Sequence, residues 1–272
     1  MITFLFWNIK QRRLEDILRG LTLRHQVDVL ILAESEIPTG VLLASLNPQP
    51  GRLFHLTDGG RCKKISIFTR LHTGSIESLE AHSAERFTLR RLILPQSELL
   101  LAAAHLSPKP HFRETDNDSE CRILADTIRE AEQALGHTRT VLVGDLNANP
   151  FEDGLVKADA LHGVMSRAVA SRGKRRVKFR YYPFFYNPMW GRFGESTDGP
   201  SGTYYYSHSS YKEFFWHMTD QVLLRPDLMA SFQNEDLKVL TVDGERSLLT
   251  RKGFPDGRFA SDHLPVLFRL DL

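Results

Sequence analysis

Apolar residues along the chain come in short dense runs separated by polar punctuation, and most runs are too short for helices. Phe4 to Ile9 predicts a first strand, and Val27 to Leu32 a second, nearly continuous and therefore buried on both faces. Between them Leu14, Ile17, Leu18 and Leu21 recur at helical spacing, with Arg12, Arg13, Glu15 and Arg19 on the other face. Thr39 to Leu46 predicts a short helix stopped at Asn47-Pro48. Ile65 to Thr69, Phe87 to Leu94 and Leu99 to His105 predict further strands, the last two joined as a hairpin across Pro95-Gln96-Ser97-Glu98. Asp118 to Leu135 reads as a helix with Cys121, Leu124, Ile128, Ala131 and Leu135 on one face. Asn117 and Glu120 have the spacing of a capping box, and Gly136 that of a terminator. Thr140 to Gly144, Gln221 to Leu224 and Leu264 to Leu270 complete the strands. Their excess over helices, and the hairpin-length gaps, predict a mixed or largely antiparallel sheet in one domain spanning 1–272.

One stretch breaks the pattern. Residues 160–194 hold eight Lys or Arg, no Asp or Glu, and eight aromatics, with Pro183, Pro188, Gly191 and Gly194 interspersed. The expectation is a long basic aromatic loop at about 167–216 with no regular element of its own.

Composition adds limits. With 272 residues, 42% hydrophobic and 25% charged, the chain is long enough for a full core and too apolar for wholesale disorder. The longest purely apolar run, Leu99 to Ala104, is far short of the roughly 20 residues that span a bilayer, so no stable membrane insertion is expected. Residues 1–13 read as a strand and not as a signal peptide. Cys62 and Cys121 have no metal-type spacing, and reduced thiols make the cytoplasm the expected compartment. A net charge of +2 names no partner, and nothing in the sequence indicates an obligate protein partner.

The chemistry lies at the strand ends, which deliver Asn8, Glu34, His105, Asp145, Asn147, Asp220, Asp262 and His263. Rigid strands that end in carboxylates, amides and imidazoles are a way to hold an active site still. Singly, each has an ordinary explanation: Asn8 as a turn residue, His105 as a satisfied rim histidine, Asp145 and Asn147 as a local turn.

Their order says more. Trp7-Asn8-Ile9, Leu32-Ala33-Glu34, Ala104-His105-Leu106-Ser107-Pro108, Gly144-Asp145-Leu146-Asn147-Ala148-Asn149-Pro150, Thr219-Asp220-Gln221-Val222 and Ser261-Asp262-His263-Leu264-Pro265-Val266 follow one another in the chain. Together they resemble the endonuclease/exonuclease/phosphatase superfamily, which includes deoxyribonucleases, abasic-site endonucleases, sphingomyelinases and inositol polyphosphate 5-phosphatases. The resemblance runs from residue 4 to about 270. It implies an α/β (α+β) fold: a four-layer α/β/β/α sandwich of two mixed β-sheets flanked by helices, deoxyribonuclease-I-like. It also implies hydrolysis of a phosphate ester with Mg2+ or Mn2+.

Residue by residue, the resemblance puts Asn8, Glu34 and Asp262 at the metal, in keeping with the preference of magnesium for a few hard oxygen ligands. It makes Asp145 the residue that orients or deprotonates the attacking water, and Asn147 a contact to phosphoryl oxygen or nucleophile. His263 stands at the phosphate with Asp220 orienting it, and His105 is a second phosphate contact. Ala33 stands where the family usually has Gln, and the carboxylate partner of His105 has no firm match, Glu85 being nearest the expected place. Three classes of function follow. A nuclease cutting DNA or RNA would use Arg175, Arg176, Lys178, Tyr182 and Trp190 on its nucleic acid. A phosphomonoesterase or lipid/inositol phosphoesterase would use the same loop on a small anionic substrate or a membrane surface. A binding module with a vestigial site is disfavoured by the complete residue set.

Overall fold

A computed structural model describes residues 1–51, 53–108, 114–195, 199–209 and 211–272, with the side chains of 114–116 outside the description. One sheet runs in the order Lys238–Val239 (β16), Val266–Leu270 (β17), Ile2–Asn8 (β1), Val29–Ala33 (β2), Ile65–Thr69 (β4) and His55–Leu56 (β3). The other runs Ile76–Ser78 (β5), Phe87–Leu94 (β6), Ser97–His105 (β7), Thr140–Asp145 (β8), Asp220–Leu224 (β15), Phe185–Tyr186 (β12) and Gly163–Val164 (β9). Each sheet is mixed: β1 is parallel to β2 and antiparallel to β17, while β8 is parallel to β7 and antiparallel to β15.

Two-residue alternation sorts the side chains into layers. From β1, Phe4 and Phe6 face the other sheet and meet Leu101, Val143 and Val222, whereas Leu5 and Trp7 face outward. Helices Glu15–Arg24 (α1) and Thr39–Leu46 (α2) cover that outer face with Ile17, Leu18, Leu21 and Leu42. Helix Glu114–Leu135 (α3) covers the second sheet with Cys121, Leu124, Ile128 and Ala131, against Leu100, Ala102 and Leu142. Three apolar clusters between four layers are the predicted sandwich. Because both faces of β1, β2 and β8 are buried, these strands are continuous apolar runs in the sequence.

Three local expectations are corrected. Asn117 and Glu120 do not cap a helix, since α3 already begins at Glu114. Asn117 Nδ2 instead donates to Leu146 O, and Glu120 accepts from the backbone N and the hydroxyl of Ser107, so both side chains brace loops that carry site residues. The β6–β7 hairpin pairs as far as Leu94 with Ser97, which leaves a two-residue turn. And the basic aromatic stretch is not a structureless loop. Arg167–Ala170 forms a helical turn, and Lys174–Val177 (β10) and Arg180–Pro183 (β11) form an antiparallel hairpin with Phe179 at its tip, 89% exposed. Tyr204–Tyr205 (β13) pairs with Trp216–His217 (β14), and residues 196–198 and 210 of that stretch lie outside the described residues.

His162 holds the base of the hairpin. It is buried, its ring Nε2 accepts from Arg175 Nε at 2.8 Å, and Nδ1–H donates to Pro183 O at 3.1 Å. Burial, set against the bond to Pro183, holds its pKa down at about 4. The neutral ring therefore favours the folded state above pH 6.5, and that contribution is lost as pH falls from 6.5 through 4. Thermal melts across that range should show a fall in midpoint that is smaller in a His162→Gln variant. Equal falls in the two proteins would remove His162 as the cause.

Candidate active site

Strands β1, β2, β7, β8 and β15 all present their site residues at one end of the sandwich. The segment Trp7–Asn8 and the segment Ser261–His263 clamp one another: Trp7 Nε1 donates to His263 O at 2.8 Å, and Ser261 Oγ donates to Asn8 O at 2.7 Å. In β8, Gly144 permits the close approach of β7, because a Cβ there would lie 2.0 Å from Ala104 O. The next residue, Asp145, is thereby set directly beside His105 in the parallel register. Glu34 and Asn147 leave their strands in the left-handed region, at φ +50° and +49°. Non-glycine residues held there cost energy, and such conformations concentrate at functional sites.

The side chains converge on Asp145, which is buried. One of its oxygens accepts from the backbone N of Asn147 at 3.0 Å, and the other accepts from Asn8 Nδ2 at 3.0 Å. That second oxygen lies 3.8 Å from His263 Nε2 and 3.8 Å from His105 Nε2. Asn8 Nδ2 also donates to Glu34 Oε1 at 3.1 Å, which lies 3.3 Å from His105 Nε2. On its far side, His263 Nδ1 bonds to Asp220 Oδ2 at 2.8 Å. Asn147 Nδ2 reaches back to Leu106 O.

Burial opposes a charge on His263, but the carboxylates of Asp220 and Asp145 overcome it and raise the imidazole to about 10. Burial likewise pushes the Asp220 carboxyl upward. At neutral pH His263 is thus held as an imidazolium against the Asp220 carboxylate. Tyr204 stacks on the His263 ring at 4.6 Å, offering its π face to the cation. Its own hydroxyl is pushed up to about 12 by burial and the nearby Asp262.

Glu34, His105, Asp145, Asn147, Tyr204 and His263 line a pocket of about 450 Å3 that also includes Lys10, Asn149, Tyr206, His217, Thr219 and Asp262, with Asn8 and Asp220 behind its wall. A divalent cation fits the oxygen donors here. Glu34 is partly exposed to the pocket, and Asp262 keeps one buried oxygen, Oδ1, with no hydrogen-bond partner. Asn8 as placed gives its oxygen to the backbone N of Lys10, and Lys10 Nζ pairs with the other oxygen of Asp262. Asp145, Asp220 and His263 also bring one ligand atom each within 4.8 Å of the others. Two of these groups, His263 and Asp220, are already bonded to one another at 2.8 Å.

All eight residues expected at the metal or the phosphate are thus brought together. Glu85 is not part of the group: its side chain is exposed, and its carbonyl serves Lys63 and Cys62. Arg175, Arg176, Lys178 and Tyr182 lie on the β10–β11 hairpin. Its base, Pro183–Phe184, is held by Arg225, next after Leu224 and so beyond the end of β15 opposite Asp220. None of the four lines the pocket. Trp190 packs edge-on to Phe151 at 6.3 Å, outside the pocket as well.

Lys10 and His217 line the pocket without having been singled out for it. Lys10 also belongs to an exposed cationic flank, with Arg12 and Arg258 and the exposed ring of Phe259. Arg12 bonds to Gly257 O, which joins the two segments. No window of sequence reveals this flank, because its halves are some 240 residues apart.

The profile of the Endonuclease/Exonuclease/phosphatase family matches residues 4–263. Solved structures of similar fold include an AP endonuclease from Archaeoglobus fulgidus, at 12% identity and TM-score 0.59, with all of both chains covered. The endonuclease domain of TRAS1, a telomere-specific non-LTR retrotransposon, matches at 11% identity and TM-score 0.58, over 100% of this chain and 99% of that one. A variant of the 3' phosphatase NExo from Neisseria, bound to product DNA hairpin, matches at 15% identity and TM-score 0.57 over the whole of both chains. No curated protein sequence matches the chain significantly.

Proposed function

The chain belongs to the Endonuclease/Exonuclease/phosphatase family, a family of metal-dependent phosphoesterase hydrolases, and on that premise we propose that it is a nuclease, hydrolysing DNA or RNA phosphodiester bonds by in-line attack of water. The observation that carries the reading is the convergence of His263, backed by Asp220 at 2.8 Å, and His105 on the Asp145 carboxylate. A carboxylate between two imidazoles can take a proton from water while the imidazoles face the charge that develops on phosphorus-bound oxygen.

In this mechanism Asp145 orients the attacking water and accepts its proton. Asn147, fixed by its bond to Leu106, has a second amide hydrogen for the nucleophile or a phosphoryl oxygen. The His263 imidazolium and His105 hold the non-bridging oxygens, and Asp220 keeps His263 charged and in orientation. Glu34 would hold a magnesium or manganese ion, with Asn8 and Asp262 beside it, and the ion would supply further charge stabilisation at the phosphate. The flank of Lys10, Arg12 and Arg258 supports a polyanionic substrate, since phosphates are bound by cations beside the scissile bond. A longer polymer would also reach Arg175, Arg176, Lys178 and Tyr182, whose hairpin presents cations and the exposed rings of Phe179 and Tyr181. Trp190 would act indirectly, by supporting Phe151. Two unbridged cysteines are consistent with a reducing compartment such as the cytoplasm, and among the described residues no helix is long and apolar enough to cross a membrane.

The test is a panel of supercoiled plasmid, linear duplex, single-stranded DNA, RNA and a phosphomonoester, each with Mg2+ or Mn2+. Polymer cleavage is expected, abolished by EDTA and restored by excess metal. Phosphate release from the monoester with intact polymers would overturn the nuclease reading in favour of a phosphomonoesterase.

A further inference from the structure

A hollow of about 510 Å3 lies between the β10–β11 hairpin and residues 157–159. In the antiparallel register Arg175 stands opposite Tyr182 and Val177 opposite Arg180, and by two-residue alternation these four share the hairpin face turned to the hollow. Lys178 and Phe179, the two residues of the turn, complete its rim. The remaining charges in its wall are already paired. Lys157 binds Asp118 at 3.1 Å and Asp153 at 2.7 Å, and Asp159 binds Arg122 at 3.2 Å. By contrast, Arg175, Lys178 and Arg180 have no carboxylate partner among the described residues, and the Phe179 ring meets no other ring or cation there. Arg175 uses its Nε alone, on His162.

The fold holds this tip out against local preference. Lys178 takes φ +53°, where a non-glycine residue is strained, and the Phe179 ring, 89% exposed, forgoes burial. The base is firmly held, since Pro183 O and Phe184 O both accept from the buried Arg225. Unpaired cations around an open ring match a phosphate chain with unstacked bases. A flat bilayer suits them less, because the hollow is concave and its tip carries a single fully apolar ring. Between the hollow and the catalytic pocket lies an acidic cavity, sharing Lys157 with the first and Asn149, Tyr206 and His217 with the second. There Asp118, Glu152, Asp153 and Glu213 outnumber Lys157 and Lys212. Carboxylates in excess repel phosphates, so the hollow is a separate anchor and not a continuation of the catalytic groove.

We propose that this hollow is an exosite for single-stranded nucleic acid, in which a base stacks on Phe179 and the phosphates beside it lie on Lys178 and Arg180. Strands long enough to occupy the hollow and the catalytic pocket together are gripped twice, which short strands are not. A duplex, with its bases paired, has none to offer Phe179. The inference rests on the nuclease reading above and names the class of its substrate.

Fluorescence anisotropy in EDTA reads binding without cleavage, on a labelled single strand of about 20 nucleotides, the matching duplex and a dinucleotide. Phe179→Ala is expected to weaken binding of the long single strand about 5- to 100-fold, and Phe179→Trp to restore it. Arg180→Gln should lower the slope of log Kd against log salt by about 0.7, the loss of one phosphate contact on a single strand. With Mg2+ present, the ratio of KM for the dinucleotide to KM for the long strand should fall in both Phe179→Ala and Arg180→Gln. Unchanged strand binding in Phe179→Ala, or a duplex bound as tightly as the single strand, overturns the exosite, and cleavage of polymers in the same samples leaves the nuclease reading standing. Binding to phosphatidylserine vesicles that Phe179→Ala abolishes while strand binding persists overturns it in favour of a membrane contact. A long strand held through Phe179 yet cut by none of the proteins with Mg2+ or Mn2+ overturns the nuclease reading instead.

Discussion

Replacing Asp145 with asparagine is expected to slow phosphodiester hydrolysis about 10²- to 10⁴-fold, with KM changed far less than kcat. In the proposed mechanism the change removes the one function an amide cannot imitate, acceptance of a proton from water. The carboxylate now accepts on both sides, from the backbone N of Asn147 and from Asn8 Nδ2. Asparagine must present an NH2 to one of those donors, so the Asn8 amide has to rotate or lose a bond. A modest drop in stability, on the order of 1–2 kcal/mol, should accompany the kinetic loss. Single-turnover rates with saturating substrate separate the two effects, because folding losses scale the amplitude while chemistry sets the rate constant. A variant within threefold of wild type would show that another group takes the proton.

The largest effect on stability is expected far from the site, at Glu132 and Arg225. Both are buried, at 4% and 1% side-chain exposure, and their charges meet in two bonds, Nε to Oε1 at 2.8 Å and Nη2 to Oε2 at 3.2 Å. Thr140 Oγ1 also donates to Glu132 Oε1, Arg225 Nη1 donates to Phe184 O, and the guanidinium lies over the Phe185 ring at 3.8 Å. The pair ties α3 to β15 and to the base of the basic hairpin. Glu132→Ala leaves a buried cation without its anion, which costs about 3–5 kcal/mol. For a chain of this size that is a fall in thermal midpoint of about 6–20 °C. A double replacement by apolar residues of similar volume should cost much less, since it removes both charges. A midpoint that hardly moves in Glu132→Ala would mean that solvent reaches the guanidinium.

What could be read before folding was considered depended on whether a feature is local. The double-faced strands were legible because burial on both sides demands an unbroken apolar run, as in Val29–Ala33 and Thr140–Asp145. The hairpin of β10 and β11 was not. Its residues are mostly exposed on both faces, so no alternation marks it, and its pairing is set by the turn at Lys178, at φ +53°, and by His162 at its base. The role of Asn117 was hidden because capping residues and mid-helix residues that brace a distant loop share the same chemistry. Only the position of Leu146 O tells them apart.

The same division applies to the site. By itself the sequence determined which reactive side chains stand at strand ends, because a strand directs its last residue by backbone geometry alone and the motifs are contiguous. Tertiary structure decided everything that depends on the approach of distant segments. It set Asp220 behind His263, closed Lys10 on Asp262, and left His105 beside Glu34 in place of Glu85. It joined residues 10–12 to 257–258 in one cationic flank, and it put an acidic, ring-lined cavity beyond Asn149 while the basic hairpin was anchored at the opposite end of β15. Charge and hydrogen bonding act through space over a few ångströms, and proximity of that kind exists only once both sheets have packed face to face.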